Sequence, residues 1–323
     1  MSIRTQSCVL ALAATALAAG SSPQEAEPPE REAPVAVAPR EPEALSLFGK
    51  PLYPLELTAE QQAVLKANLA AAEQACAQNP DDPESVVWLG RRLAYLGHYQ
   101  EAIAVYSRGL ERWPTSHQLL RHRGHRWITV REFDKAIADL ERATVLIRNL
   151  PDAIEPDGAP NAYNIPRSTT HSNIWYHLGL AHYLRGDFEA ALRCYRECMQ
   201  FSTNDDMRCA TSDWLYMTYR RLGRDDEARR VLEPIHAGME ILENRAYHRR
   251  LLMYKGEVPP ESLLASAEAS DLDLVTQGYG VGNWHLCNGD TARAKEIFTQ
   301  VVERGNWPAF GSIAAECDLA RLP

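Results

Sequence analysis

The sequence predicts an all-α fold, an α-solenoid in which antiparallel helix hairpins stack side by side. Three observations carry this. Residues 172–198 place Trp175, Leu178-Gly179, His182-Tyr183, Gly186, Phe188, Ala191 and Tyr195 at the spacings of two helices joined by a tight turn. Glycines recur at one long period: Gly90 to Gly124 is 34 residues, and Gly223, Gly256 and Gly289 follow at steps of 33 and 33. Such a period marks a supersecondary unit that buries its apolar face only against its neighbours. Residues 309–321 then read as one further helix, able to cover the exposed end of a stack.

Residue size explains the hairpin at 172–198. Gly179 lets the second helix approach the first, Ala191 and Cys198 keep the contact small, and Trp175, Leu178 and Tyr195 fill the seam. Gly186-Asp187 falls where one helix ends and the next begins, supplying a left-handed C-terminal residue and an N-cap.

From the N-terminus, residues 1–20 read as a secretory signal peptide. Arg4 precedes an uncharged apolar run over 8–19, and small residues follow. The run is short for a bilayer span, and the alternative is an uncleaved N-terminal anchor. Position 21 is Ser, so no cysteine stands where a lipoprotein needs one. Residues 21–48 form a spacer, rich in Pro and Glu over 21–44, that buries too little surface to order itself. The solenoid occupies 49–323. Thr58 and Gln61 make a capping box that opens a helix running to about Gln78, and Pro83 suits a first helical position. Residues 49–82 therefore read as a degenerate first unit or a capping hairpin.

The remaining units superpose on one another. Unit 83–116 carries Leu89-Gly90, Gly97, Ala102, Tyr106 and Gly109; unit 117–150 carries Gly124, Trp127, Ala136, Leu140 and Ala143. After 172–203 comes 209–238 with Leu215, Tyr219, Gly223, Ala228 and Leu232. A weaker unit at 242–271 replaces the start of its second helix with Val258-Pro259-Pro260, and 275–308 carries Gly282, Gly289, Ala294, Phe298 and Val301.

On these residues the chain, over about 83–321, resembles the tetratricopeptide repeat (TPR) family. The resemblance implies a TPR superhelix of about six units plus a capping helix. Departures are Arg123 where the pattern has Leu, Arg131 where other units have Gly, and Tyr216 where it has Gly. Tyr216 at a close helix contact implies local widening.

Gly124 to Gly179 spans 55 residues, one period with a surplus. That surplus is an inserted loop at 150–171 with four prolines, Asp157-Gly158 and two Asn. Loops this long in compact domains tend to be functional or disordered. Ile154, Tyr163 and Ile165 suggest packing onto something, and an ordered lid over the concave face is the favoured reading.

The net charge is −9, or −10 once the leader's single arginine is gone. An acidic protein of this kind is not expected to bind nucleic acid. Beyond the leader no stretch approaches the roughly 18 apolar residues of a membrane helix, so no membrane span is expected after cleavage and the chain reads as exported, periplasmic or secreted. Six cysteines follow the leader, of which only Cys198 with Cys209 suggests a disulfide; the favoured reading is small buried apolar residues.

The resemblance implies that the first helix of each hairpin lines a concave groove. Candidate groove residues are then Trp88, Arg91 and Tyr95; Arg121, His122 and His125; Asn173, Tyr176 and His177; Asp213, Trp214 and Arg220; and Tyr279, Asn283 and Trp284. Asn161 and Asn164 of the loop join them as binding candidates. The stretch 117–130 holds Arg121, Arg123, Arg126 and three His with no acid. Arginine offers bidentate geometry to a carboxylate or phosphate; the alternative is pairing with Glu111, Glu132 or Asp139. Val87 and Arg91 stand where a carboxylate clamp would need Lys and Asn.

The sequence thus predicts a non-enzymatic exported scaffold that binds a peptide or protein segment, possibly anionic, in its groove, with no cofactor and no metal. The alternative is an enzyme, or a small-molecule or metal binder, using the His/Arg cluster beneath the 150–171 loop.

Overall fold

A computed structural model describes residues 41–265 and 270–323. The leader and the spacer up to residue 40 lie outside the described residues. From Glu41 the chain has defined structure, earlier than the spacer boundary at 48. Strand β1 (Ala44–Leu45) pairs antiparallel with β2 (Pro51–Leu52). Helix α1 (Ala59–Gln78) starts at the expected Thr58–Gln61 capping box. It follows an extended segment, so 49–82 is a strand and one helix rather than a helical hairpin.

The hairpins follow: α2 (Pro83–Tyr95) with α3 (Tyr99–Arg112), α4 (His117–Thr129) with α5 (Phe133–Ile147), and α6 (Thr170–Arg185) with α7 (Phe188–Gln200). Then come α8 (Asp205–Arg221) with α9 (Asp225–Leu232), α10 (Arg245–Tyr254) with α11 (Pro260–Leu264), and α12 (Asp271–Cys287) with α13 (Thr291–Glu303). Helix α14 (Phe310–Arg321) ends the array. The all-α solenoid expected from the period is the fold. In the weak unit, Pro259-Pro260 shortens the second helix to five residues.

One steric rule repeats in four hairpins. A Cβ on Gly90 would meet the Tyr106 ring at 2.3 Å, on Gly124 the Leu140 side chain at 2.7 Å, on Gly179 the Tyr195 ring at 2.8 Å, and on Gly282 the Phe298 ring at 2.5 Å. Carbon atoms pack at about 3.5–4 Å, so no side chain fits at these glycines unless the hairpin opens. At Tyr216 the bulk is directed elsewhere: its ring stacks on Tyr254 of the next hairpin, centroids 4.3 Å apart.

Each hairpin turns through one left-handed residue. Gly97, Gly186, Gly223, Gly256 and Gly289 have positive φ, and Arg131 takes the same conformation at φ 68°. For a non-glycine residue this costs about 1–2 kcal/mol, and its compensation is long-range. The Arg131 guanidinium donates to Thr129 O at 2.5 Å, Trp307 O at 3.0 Å and Glu316 Oε2 at 2.6 Å. Both members of the ion pair are only 4% exposed.

Helix α14 was expected to cover the last hairpin, and it packs on α12 and α13. It also lies against α6, and the array closes on itself. Leu47 N donates to Glu316, and Trp307 Nε1 donates to Tyr53 O at 2.7 Å. The Trp307 ring meets Tyr99 edge-on at 5.4 Å. Asp318 accepts from Arg221, from Arg321 at 2.7 Å and from Tyr279 Oη at 3.0 Å. The apolar core forms two clusters, one of β1 to α5 joined by Ile174 and Trp307 and one from α4 to α14, with Trp127 packed against both.

The six described cysteines are all free. Cys198 and Cys209 do not pair: Cys198 Sγ lies 3.3 Å from Thr211 Oγ1, and Cys209 Sγ lies 3.8 Å from Met239 Sδ. Burial pushes the Cys198 thiol up to about 12. Arg123 makes a bidentate bridge to Asp139, both bonds 2.7 Å, and so has the structural role weighed for this cluster.

Tyr195 is fully buried and its hydroxyl has no partner. Truncating it to Ala is therefore expected to cost about 3–5 kcal/mol, whereas Tyr195→Phe removes an unsatisfied polar atom and is expected to be neutral or stabilising. Urea unfolding of the two variants checks this. A loss above 2 kcal/mol for the Phe variant would mean the hydroxyl has a partner.

Candidate functional site

Closure decides which groove residues remain available. Trp214, expected in the groove, is fully buried, with its Nε1 donating to Tyr176 Oη at 2.7 Å. Tyr176 in turn shares a hydrogen bond with Tyr247. Asp213 pairs with Arg250 at 2.9 Å, both without exposed surface. Tyr279 and Asn283 are also buried, bonded through Tyr183. On an open array these first-helix faces would line a trough; with α12 and α14 laid across α6 and α8 they form a polar core. Asn161 and Asn164 lie in the loop, away from the first-helix faces. Asn161 ties the loop's own turn through Ile165 O, reaching Glu243 at 3.0 Å. Asn164 takes a left-handed turn position at φ 53°.

The front of the array gathers the other candidates. Arg91, Tyr95, Arg121, His122, His125 and His177 all line one cavity of about 160 Å³, with Ala94, Tyr106 and Arg126. Trp88 stands behind it as a platform, its ring 4.4 Å from the Arg91 guanidinium and 4.9 Å from that of Arg92. Helical spacing explains the grouping: Arg91 and Tyr95 are one turn apart on α2, and His122, His125 and Arg126 share one face of α4.

The inserted loop is an ordered lid on this front face. Ile154 bridges Thr169, Glu155 N donates to Ser168 O, and Thr170 N donates to Ala153 O, giving the loop a narrow stem. Its limb at 153–158 runs across α2 and α4. Arg91 donates to Pro156 O at 2.8 Å and Arg92 to Gly158 O at 3.0 Å. Arg121 Nη2 pairs with Glu155 Oε1 at 2.9 Å, and the side chains are only 9% and 12% exposed. Gly158 fits because a Cβ there would come within 2.1 Å of Tyr95 Oη. A second cavity of about 260 Å³ separates lid from floor, lined by Glu84, Val87, Gln118 and Thr170 among others, and shares Arg91, Arg121 and His122 with the first. Ile154, Tyr163 and Ile165, expected to pack, are exposed instead. Polar contacts hold the lid, with the Arg91, Arg92 and Arg121 guanidinium groups on its 153–158 limb and Asn161 on Glu243.

The histidines are set as neutral groups. Arg121 Nη1 lies 3.0 Å from His122 Nδ1. A guanidinium only donates, so His122 Nδ1 accepts and its proton sits on Nε2, which faces Glu155 Oε1 at 3.7 Å. His177 Nδ1 donates to Asn173 O at 2.6 Å. The His125 and His177 rings lie 4.4 Å apart, with Phe310 of α14 at 5.2 Å from His125. Burial holds all three imidazoles well below their usual range. The Arg121 charge adds to this at His122 and His177, and the Arg126 charge at His125. Among the described residues, no group of three His, Cys, Asp or Glu has metal-holding geometry. No described helix is long and apolar enough to cross a membrane.

Sequence reasoning did not identify Glu155, Arg92 or Phe310 as parts of this site. The acid-free stretch 117–130 and the acidic run Glu155-Pro156-Asp157 were the available signal, as complementary charges.

Residues 172–205 match the family described as tetratricopeptide repeat, so the hairpin α6–α7 is a repeat of that type. No curated protein matches the chain at a significant level. Solved structures similar to it include a TPR protein from Parabacteroides merdae, at 15% identity over 80% of this chain and 93% of that one, TM-score 0.48. Another is YrrB, described as a TPR protein with an unusual peptide-binding site, at 14% identity over 73% and 93%, TM-score 0.42. A third is MamA from Desulfovibrio magneticus, at 17% identity over 54% and 85%, TM-score 0.41.

The lowered histidines give a signed expectation. In the unfolded chain each takes up a proton near pH 6.5, while the folded site keeps it neutral. Stability therefore falls as pH drops below about 6.5, by up to about 1.4 kcal/mol per pH unit for each of the three. The His122, His125 and His177 ring resonances should hold still from pH 7.5 to 5.5. A midpoint near 6.5 at any of them would contradict its burial as a neutral ring.

Proposed function

We propose that the protein is a non-enzymatic, exported interaction scaffold that takes an extended, acidic peptide segment on the front face of α2 and α4. Export rests on the leader pattern of residues 1–20. The single observation that supports the binding reading is the lid limb itself. Residues 153–158 are an extended acidic peptide already held on this face, with two backbone carbonyls and one carboxylate on Arg91, Arg92 and Arg121. Carbonyl contacts from guanidinium groups grip any extended chain, and Arg121 adds preference for an acid at one position. A partner segment would take the place of the limb. A tethered segment competes at an effective concentration on the order of millimolar, so the lid sets a threshold that a weak ligand does not pass.

The test removes the competitor. Residues 154–165 are replaced by a Gly/Ser linker of equal length, which keeps Asp152 and Arg167 at the stem. A synthetic peptide with the sequence of 151–160 is then titrated against the full chain. One-to-one binding is expected, weakened at least about tenfold by Arg91→Ala in the protein or by Gln for Glu155 in the peptide, the scale of one charge-assisted contact. Helical circular dichroism should be unchanged by the linker. A well-folded linker variant that ignores the peptide would refute the reading.

A further inference from the structure

We infer that the 160 Å³ cavity behind the lid is a binding site for one small oxyanion, a carboxylate or a phosphate, and that Glu155 is the resident carboxylate at its edge. The inference deepens the peptide reading and shares Arg121 with it, so its test uses inorganic ions alone.

The wall composition is the first support. Arg91, Arg121 and Arg126 converge on the cavity with three histidines and two tyrosines, and no carboxylate lines it. The acids near this cluster belong to the neighbouring space or the lid: Glu84 and Glu155 line the 260 Å³ cavity, and Asp157 sits on the lid limb beside Gly158. Among the described residues only Arg121 of the three has an ion pair, at Glu155. Arg91 is bonded to a carbonyl, and Arg126 lies over the Tyr99 ring at 5.5 Å. Three cations thus face a space with one direct ion pair among them, while Glu84 and Asp157 act on Arg91 only through space.

The second support is an unused donor. Arg121 is 8% exposed, and its Nε has no acceptor although Nη1 and Nη2 are engaged. A buried donor left without a partner is unfavourable, and an incoming oxygen would relieve it. Size permits it: water occupies about 30 Å³ in the liquid, so a cavity of about 160 Å³ takes a carboxylate or a phosphate with room left for water.

The neutral histidines fit this use. Uncharged imidazoles leave room for the three guanidinium charges without adding repulsion, and an anion seated among them would lift their proton affinity. Ion binding and proton uptake are then coupled at this site.

The test is titration calorimetry of the full chain with inorganic phosphate and, separately, acetate, at constant ionic strength. The proteins are wild type, Glu155→Gln, and Glu155→Gln with Arg126→Met. The Gln variant frees Arg121 and is expected to bind at least one ion at least tenfold more tightly than wild type. Adding Arg126→Met, a partly buried change away from the lid, should reverse that gain. Tighter phosphate identifies a tetrahedral oxyanion as the occupant; equal or tighter acetate identifies a carboxylate such as a peptide terminus. No gain in the Gln variant for either ion, or a gain that Arg126→Met leaves intact, overturns the inference. Should the Gln variant fail to fold, wild type against Arg126→Met with phosphate decides: equal affinity, or no heat from either, overturns it. Peptide binding can fail while phosphate binding holds, so this outcome is separable from that of the peptide titration.

Discussion

The arrangement depends on a buried ion pair that joins positions 185 residues apart. Arg131, held left-handed at the α4–α5 turn, meets Glu316 of α14. Neither group can be left alone in that setting, since an unpaired buried charge costs several kcal/mol. The same carboxylate receives Leu47 N, so one residue of the last helix fastens both the β1–β2 turn and the second hairpin. A stack that would otherwise be an open superhelix becomes a closed one.

Closure has two effects on function. It turns the middle of the concave face into core, where Trp214 is bonded to Tyr176, Tyr279 to Asp318 of α14, and Asp213 is paired with Arg250. At the front, Phe310 packs on His125 and His177 on one side and the lid covers Arg91 and Arg121 on the other. The lid rests on guanidinium-to-carbonyl contacts with its apolar side chains outward.

The hairpins were legible because their determinants are local. A glycine and the ring or leucine sixteen residues later meet across one turn, as Gly179 and Tyr195 do, and that pairing needs no knowledge of the rest of the chain. The capping box at Thr58 and the left-handed Gly186 are local in the same way. Arg131 looked like a defect in the pattern because its reason lies in α14. Trp214 and Asn283 were placed in the groove because the face of a single hairpin says nothing of what the array later folds against it. The Arg/His cluster was found because 117–130 lacks acids, and its gathering with Arg91 and Tyr95 follows from stacking adjacent hairpins. Glu155 was missed because where a 22-residue insertion lands is set by tertiary contacts, not by its own sequence.

The claim beneath all of this is closure, and a double-mutant cycle on Arg131 and Glu316 measures it directly. Urea unfolding of wild type, Arg131→Met, Glu316→Gln and the double variant gives their coupling energy. A shared buried contact predicts about 1–3 kcal/mol; additive effects within about 0.3 kcal/mol would mean the two residues do not meet, and the array would be open.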